Sequence, residues 1–195
     1  GKTMRGNRSK ESKANHIVTA WSKEDGFSLG QKVVDEKSNE ITAIPELLKK
    51  INIKGQVVTI DAMGTQTAIA ESIRKSRADY VLALKGNQKV LHEEVSLFLN
   101  DEEEKKKLKQ KGLYKKTSEK SHGQIEIREY YHTEEIKWIA CKNEWKGLKS
   151  IGMEEKTILK EGEKKKEYRY YISSLKEDID LFSRVVRGHW SVESM

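Results

Sequence analysis

Gln56-Val57-Val58-Thr59-Ile60-Asp61-Ala62-Met63-Gly64 is the stretch whose reading decides the fold. Val57, Val58, Thr59 and Ile60 are all β-branched, which suits a strand buried on both faces of a sheet. Asp61 then closes the strand with a carboxylate. In open α/β sheets, ligands gather at the carboxyl ends of strands. The plainer alternative is that Asp61 only starts a turn or caps the next helix.

Working outward, the next segments repeat the strand–helix alternation. Thr65 to Arg77 carries Ala68, Ile69, Ala70 and Ile73 at helical spacing. Asp79 to Leu84 is a second apolar strand, and Lys85-Gly86-Asn87-Gln88 turns into a helix with Val90, Leu91, Val95, Phe98 and Leu99 on one side. Upstream, His16 to Trp21 and Phe27 to Val34 read as a hairpin around Asp25-Gly26. Ser38 and Asn39 are capping types, and Pro45 fits the first turn of a helix running to about Ile51. The order predicts an α/β fold, a mixed sheet flanked by helices with residues 56–61 as a central strand. With one more strand ahead of residue 1 it is the ribonuclease-H-like pattern.

Beyond residue 100 the pattern changes. Residues 101–116 are a run of Glu and Lys that reads as a solvated helix end and linker. Ile125–Tyr131, Lys137–Cys141, Ser150–Leu159 and Tyr168–Ser173 then read as strands, the last two joined by Glu161-Gly162-Glu163. Helical spacing returns at Asp178–Val186. The expected division is a core of residues 1–100 and 175–195, interrupted by a charged linker and β-rich insertion at 101–174.

Composition narrows the class. The 195 residues carry 38 Lys plus Arg against 31 Asp plus Glu, a net charge of +7. That excess favours a polyanionic partner, although an ordinary lysine-rich protein has the same balance. Cys141 is the only cysteine, so neither an internal disulfide nor a cysteine-based zinc site is available. No apolar run approaches the ~20 residues of a membrane span and no signal-peptide pattern opens the chain, so a cytoplasmic protein is expected. The chain opens without an initiator methionine and stops inside a helical pattern, which suggests a piece of a longer protein.

Several residue groups could carry chemistry. Arg187-Gly188-His189-Trp190-Ser191-Val192-Glu193 places a carboxylate beside an aromatic on a helix. A strand-end Asp plus a helix-borne Glu is what a two-metal phosphoryl-transfer site uses, since carboxylate oxygens bind Mg²⁺. Glu193 alone reads equally as a surface glutamate. Lys85 follows a strand end at the edge where Asp61 sits and can meet a phosphate; Asn87 suits a helix cap. Arg128, in His122-Gly123-Gln124-Ile125-Glu126-Ile127-Arg128, shares a sheet face with Glu126, and can grip a phosphate or pair with a carboxylate. Lys105–Lys107 and Lys164–Lys166 lack interleaved aromatics, so solvated faces are favoured over DNA contacts for both runs.

The chain resembles the DDE transposases of the insertion-sequence group that includes the H-repeat-associated proteins. The matching stretches run in order: Gly1–Gly6, Asp35–Ile41, Val58–Gly64, Tyr80–Gln88, His122–Arg128, Gly147–Gly152, Tyr171–Leu175 and Arg187–Glu193. The resemblance implies three metal-binding acids on a ribonuclease-H-like core, the middle one matching Asp61 and the last Glu193. The first stands immediately before the Gly-Lys-Thr stretch in such proteins, and so precedes Gly1. The implied reaction is metal-dependent cleavage and strand transfer at insertion-sequence ends, with Mg²⁺ or Mn²⁺ as cofactor. Double-stranded DNA is the implied partner, bound by a homodimer in the nucleoid, and Trp190 contacts DNA or packs near the site. Lacking the first Asp, the chain as it stands is expected to be inactive. The rival reading is a non-catalytic remnant that at most binds DNA.

Overall fold

The computed structural model describes residues 2–3, 16–22, 26–34, 40–121 and 123–192. The hairpin forms as expected: β2 (His16–Ser22) pairs antiparallel with β3 (Phe27–Val34), and β1 (Lys2–Thr3) joins the other edge of β2. Gly26, in the turn, has φ +72°, which a residue without a Cβ adopts freely. Helix α1 (Glu40–Lys50) follows, with Pro45 in its second turn rather than its first. Ser38 and Asn39, read as caps, lie outside the described residues.

A six-stranded sheet then runs in the order β4-β5-β9-β8-β7-β6. Its strands are β4 (Val57–Ile60), β5 (Asp79–Leu84), β6 (Tyr114–Ser121), β7 (Gln124–Thr133), β8 (Ser150–Lys160) and β9 (Glu163–Ser173). The β4–β5 pair is parallel, joined by helix α2 (Thr67–Lys75), and every other pair is antiparallel. Helices α3 (Lys89–Asn100) and α4 (Glu102–Gln110) lead into β6, and α5 (Ile179–Val192) follows β9. None of the described helices is long and apolar enough to cross a membrane.

Three expectations need correcting. Among the described residues β4 is the outermost strand of this sheet, and its four residues are half-buried. A β-branched run shows that a strand is favoured but not how many neighbours it has. The residues 101–116 are not a solvated linker: α4 buries Lys105 and Leu108, and β6 begins at Tyr114. Lys137–Cys141 is not a strand; it forms turns before a 3₁₀ segment at Lys142–Glu144, and Trp138 stacks on Phe98 of α3 at 4.8 Å.

Strand alternation divides the core between two faces. Val58, Ile60, Tyr80, Leu82, Leu84 and Ile172 pack on α1, α2 and α3. Val57, Val81, Ala83, Tyr130 and Tyr171 pack on α5 through Phe182 and Val186. The second face is curled. His189 near the end of α5 reaches Thr59 on β4, while Arg187 pairs with Glu119 on β6. Flat, five strand spacings would hold β4 and β6 ~24 Å apart. One helix contacting both outer strands requires the sheet to wrap around it. Gly152 on β8 makes the close fit possible, because a Cβ there would lie 2.3 Å from the Phe182 ring.

Candidate functional site

The loop after β4 is fixed by a small set of hydrogen bonds. Asp61 is half-buried, and its Oδ1 accepts the Gly64 N–H at 3.2 Å. Gly64 itself is buried so tightly that a Cβ would meet Ile60 at 2.4 Å and Ile44 at 2.8 Å. Thr65 is fully buried; its hydroxyl donates to the Ala83 carbonyl at 2.6 Å and lies 3.1 Å from that of Asp61. The turn after β5 closes on the same loop. Asn87 Nδ2 donates to Ala62 O at 2.5 Å, and Gln88 Nε2 to Thr65 O at 3.0 Å. Asn87 therefore ties two strand ends together rather than capping a helix. Gln88 stands at the N-cap of α3 without a side-chain cap bond.

The carboxylate of Asp61 is thus aimed by its own turn, with Oδ2 outside these bonds. Lys85 is exposed at the neighbouring strand end, where the sequence placed it. On the α5 side, Thr59 Oγ1 lies 3.0 Å from His189 Nδ1. Thr59 is two residues before Asp61, so this contact brings His189 of α5 to the end of β4 that leads into the Asp61 loop. Trp190 is in α5, but its side chain and the whole of Glu193 lie outside the described residues. Among the described residues no group of three or more His, Cys, Asp or Glu could hold a metal ion. Asp61 fits one metal ligand by chemistry and exposure.

Arg128 is placed elsewhere. It is 5% exposed, and its guanidinium meets Glu126, Glu154 at 3.4 Å and Glu119 at 3.6 Å. Burial pushes the Glu126 carboxyl up, but Arg128 and Lys156 more than offset this and hold it below the usual range. Of the two readings open in the sequence, the carboxylate pairing is the one found. Lys105 is likewise internal, between Glu102 at 3.1 Å and Glu155 at 3.5 Å. The residues missed in the sequence are Thr59, Thr65 and Gln88. Their signal was faint, since each is a small or polar residue next to a strand end, where turn chemistry explains it as well.

Comparison with known proteins gives the family. The Transposase DDE domain family matches residues 1–195. "Putative transposase YncI" of Escherichia coli O157:H7 is 42% identical over 205 residues, covering 99% of this chain and 50% of that protein. "H repeat-associated putative transposase YhhI" of Escherichia coli K12 is 40% identical over 205 residues, covering 100% of this chain and 52% of that one. A Xanthobacter autotrophicus protein, "Uncharacterized protein in dhlA 3'region", is 41% identical over 175 residues, covering 89% and 58%. The chain spans about half the length of the curated relatives it matches. No solved structure matches. With the family model matched end to end and relatives 42% and 40% identical across almost all of it, this chain belongs to the Transposase DDE domain family.

Proposed function

We propose that this chain carries the DNA-cleaving site of a transposase, acting on insertion-sequence ends through Asp61 and Glu193 on a ribonuclease-H-like core, with residues 101–174 inserted between core strands and the last helix. The observation that carries the proposal is the His189–Thr59 contact. Helix α5 packs Phe182 over Gly152 of β8 and, seven residues later, brings His189 to Thr59 of β4, two residues before Asp61. Glu193 follows His189 by four positions in the sequence and Asp61 follows Thr59 by two, so the contact joins the two segments that hold the proposed carboxylates.

Asp61 and Glu193 would then hold a divalent cation, Mg²⁺ or Mn²⁺, between strand and helix. Such an ion, when bound, supplies charge neutralisation at the attacked phosphate and acidifies the attacking oxygen. Asp61 contributes a carboxylate pre-aimed by the Gly64 N–H, so little reorganisation accompanies binding. Lys85, exposed at the adjacent strand end, is placed to meet a DNA phosphate. Water attacks the phosphodiester first and the P–O3′ bond breaks, leaving a 3′-hydroxyl and a 5′-phosphate; that hydroxyl then attacks a target phosphodiester and displaces a target 3′-hydroxyl. No covalent protein intermediate is needed.

The test uses the chain extended to the length of its relatives, with an Asp before Gly1. Asp61→Asn and Glu193→Gln are each expected to lower Mg²⁺-dependent cleavage of terminal-repeat DNA by 10³-fold or more, on the order of 4 kcal/mol, while DNA affinity stays within about threefold (~0.7 kcal/mol). Cleavage by Asp61→Asn at the unaltered rate would remove the two-carboxylate assignment and leave the remnant reading.

A further inference from the structure

We propose that the outer half of β6–β9, the part of the α3/α4 face that those helices leave open, is a docking surface for the phosphate backbone of double-stranded DNA. The strand register carries the proposal. Lys120, Ile125, Leu159 and Lys164 lie in one row across β6, β7, β8 and β9, and therefore on one face. The next row inward ends in Lys166, and the one after runs Lys116, Glu129, Glu155 and Tyr168. The two outermost rows of this face hold three lysines and no carboxylate. The opposite face at the same level mixes Glu119, Glu126 and Glu163 with Lys160 and Lys165. The outer rows of the proposed face therefore hold cations alone, whereas the opposite face carries both signs.

Lys116, Lys120 and Lys164 are exposed and have no carboxylate partner among the described residues, whereas Lys166 is engaged by Glu155. Helix α4 closes the inner rows through Lys105 and Glu155 and stops there. The middle of the outer rows is uncharged, and Ile125 there is 39% exposed; Tyr168, two rows inward on β9, is 43% exposed. Lys120 and Lys164 stand three strand spacings apart, ~14 Å, and Lys116 and Lys120 four strand residues apart, ~13 Å. A duplex carries one charge per ~1.7 Å of axis, so all three ammonium groups can meet phosphates at once. The choice of DNA rather than another polyanion rests on the transposase reading.

The experiment uses the 195-residue chain and a ~30-base-pair duplex. Affinity is measured by fluorescence anisotropy across a salt series. Lys116→Gln, Lys120→Gln and Lys164→Gln are combined in one variant. A control with the same net charge combines Lys54→Gln, Lys160→Gln and Lys165→Gln. Removing three phosphate contacts should lower the log K–log salt slope by about 2–3, near 0.9 per contact, and weaken binding roughly tenfold or more at ~0.1 M salt. The control should change affinity less than about threefold, and melting temperatures should confirm that both variants fold. Equal losses in both, no loss in the first, no duplex binding by the unaltered chain, or tighter binding to acidic phospholipid vesicles than to DNA would each overturn the surface. Asp61-dependent cleavage in the extended protein reports separately, so failure of this face and failure of the transposase reading are distinguishable.

Discussion

His132 shows how much a single buried side chain organises here. It is fully buried on β7 and stacks on Phe182 with ring centres 4.6 Å apart. Its Nδ1 accepts the Asp178 N–H at 3.2 Å, so the proton sits on Nε2, which faces Ser150 Oγ at 2.8 Å. Ser150 in turn donates to Leu175 O at 2.8 Å. Burial pushes the imidazole pKa down from 6.5 to about 4. The sign follows: above pH 6.5 both folded and unfolded forms are neutral and stability is whole. As pH falls from 6.5 toward about 4 the unfolded form gains a proton the folded form refuses, and stability drops by on the order of 3 kcal/mol. Denaturant melts between pH 7 and pH 4 should show this loss, with the His132 ring signal in NMR titrating near the lower value. A ring that titrates at 6.5 in the folded protein would contradict the account. At this scale the place of Asp61 at the end of a strand was legible, because the β-branched run before it marks the strand. Arg128 was not, because alternation gives a residue's face but not what covers it.

At the scale of elements, α5 in the curled sheet is the central relationship. Gly152→Ala would force a methyl group into the Phe182 ring, since the Cβ position is within 2.8 Å of three ring carbons. The expected cost is about 1–3 kcal/mol from overpacking. Phe182→Ala should cost about 3–5 kcal/mol by opening a cavity under the helix. Both are read from urea midpoints. If Gly152→Ala is neutral, the helix does not sit on β8 as described. The Arg128 cluster belongs to the same scale, because it joins β6, β7 and β8. Arg128→Gln leaves Glu154, 1% exposed, short of a cation and should destabilise by about 2–4 kcal/mol. The salt slope of DNA binding should not change. A reduced slope with unaltered stability would return Arg128 to the phosphate-binding role.

Across the whole molecule, strand pairing overrides the expected separation of core and insertion. β5 belongs to the strand–helix core and β9 to the inserted segment, yet they pair from Val81–Ser173 to Leu84–Tyr170. Ser174 adds a bond from its hydroxyl to Asp79 at 2.7 Å. Residues 101–174 therefore share one sheet with the core. The expectation is a single cooperative transition, with amides of β5 and β8 exchanging at the same opening free energy. Hydrogen exchange showing β8 opening well below β5 would restore two separate units. The sequence by itself determined the local periods: the hairpin, β4, β5, the helices flanking them, the β8–β9 hairpin and the carboxylate at Asp61. These follow from side-chain spacing and turn chemistry within a few residues. Only the tertiary structure decided that β9 pairs with β5, that Arg128 and Lys105 turn inward, and that His189 of α5 meets Thr59. Each of these joins segments tens of residues apart, and no local period encodes which distant strand supplies the missing hydrogen bonds or which helix covers a face.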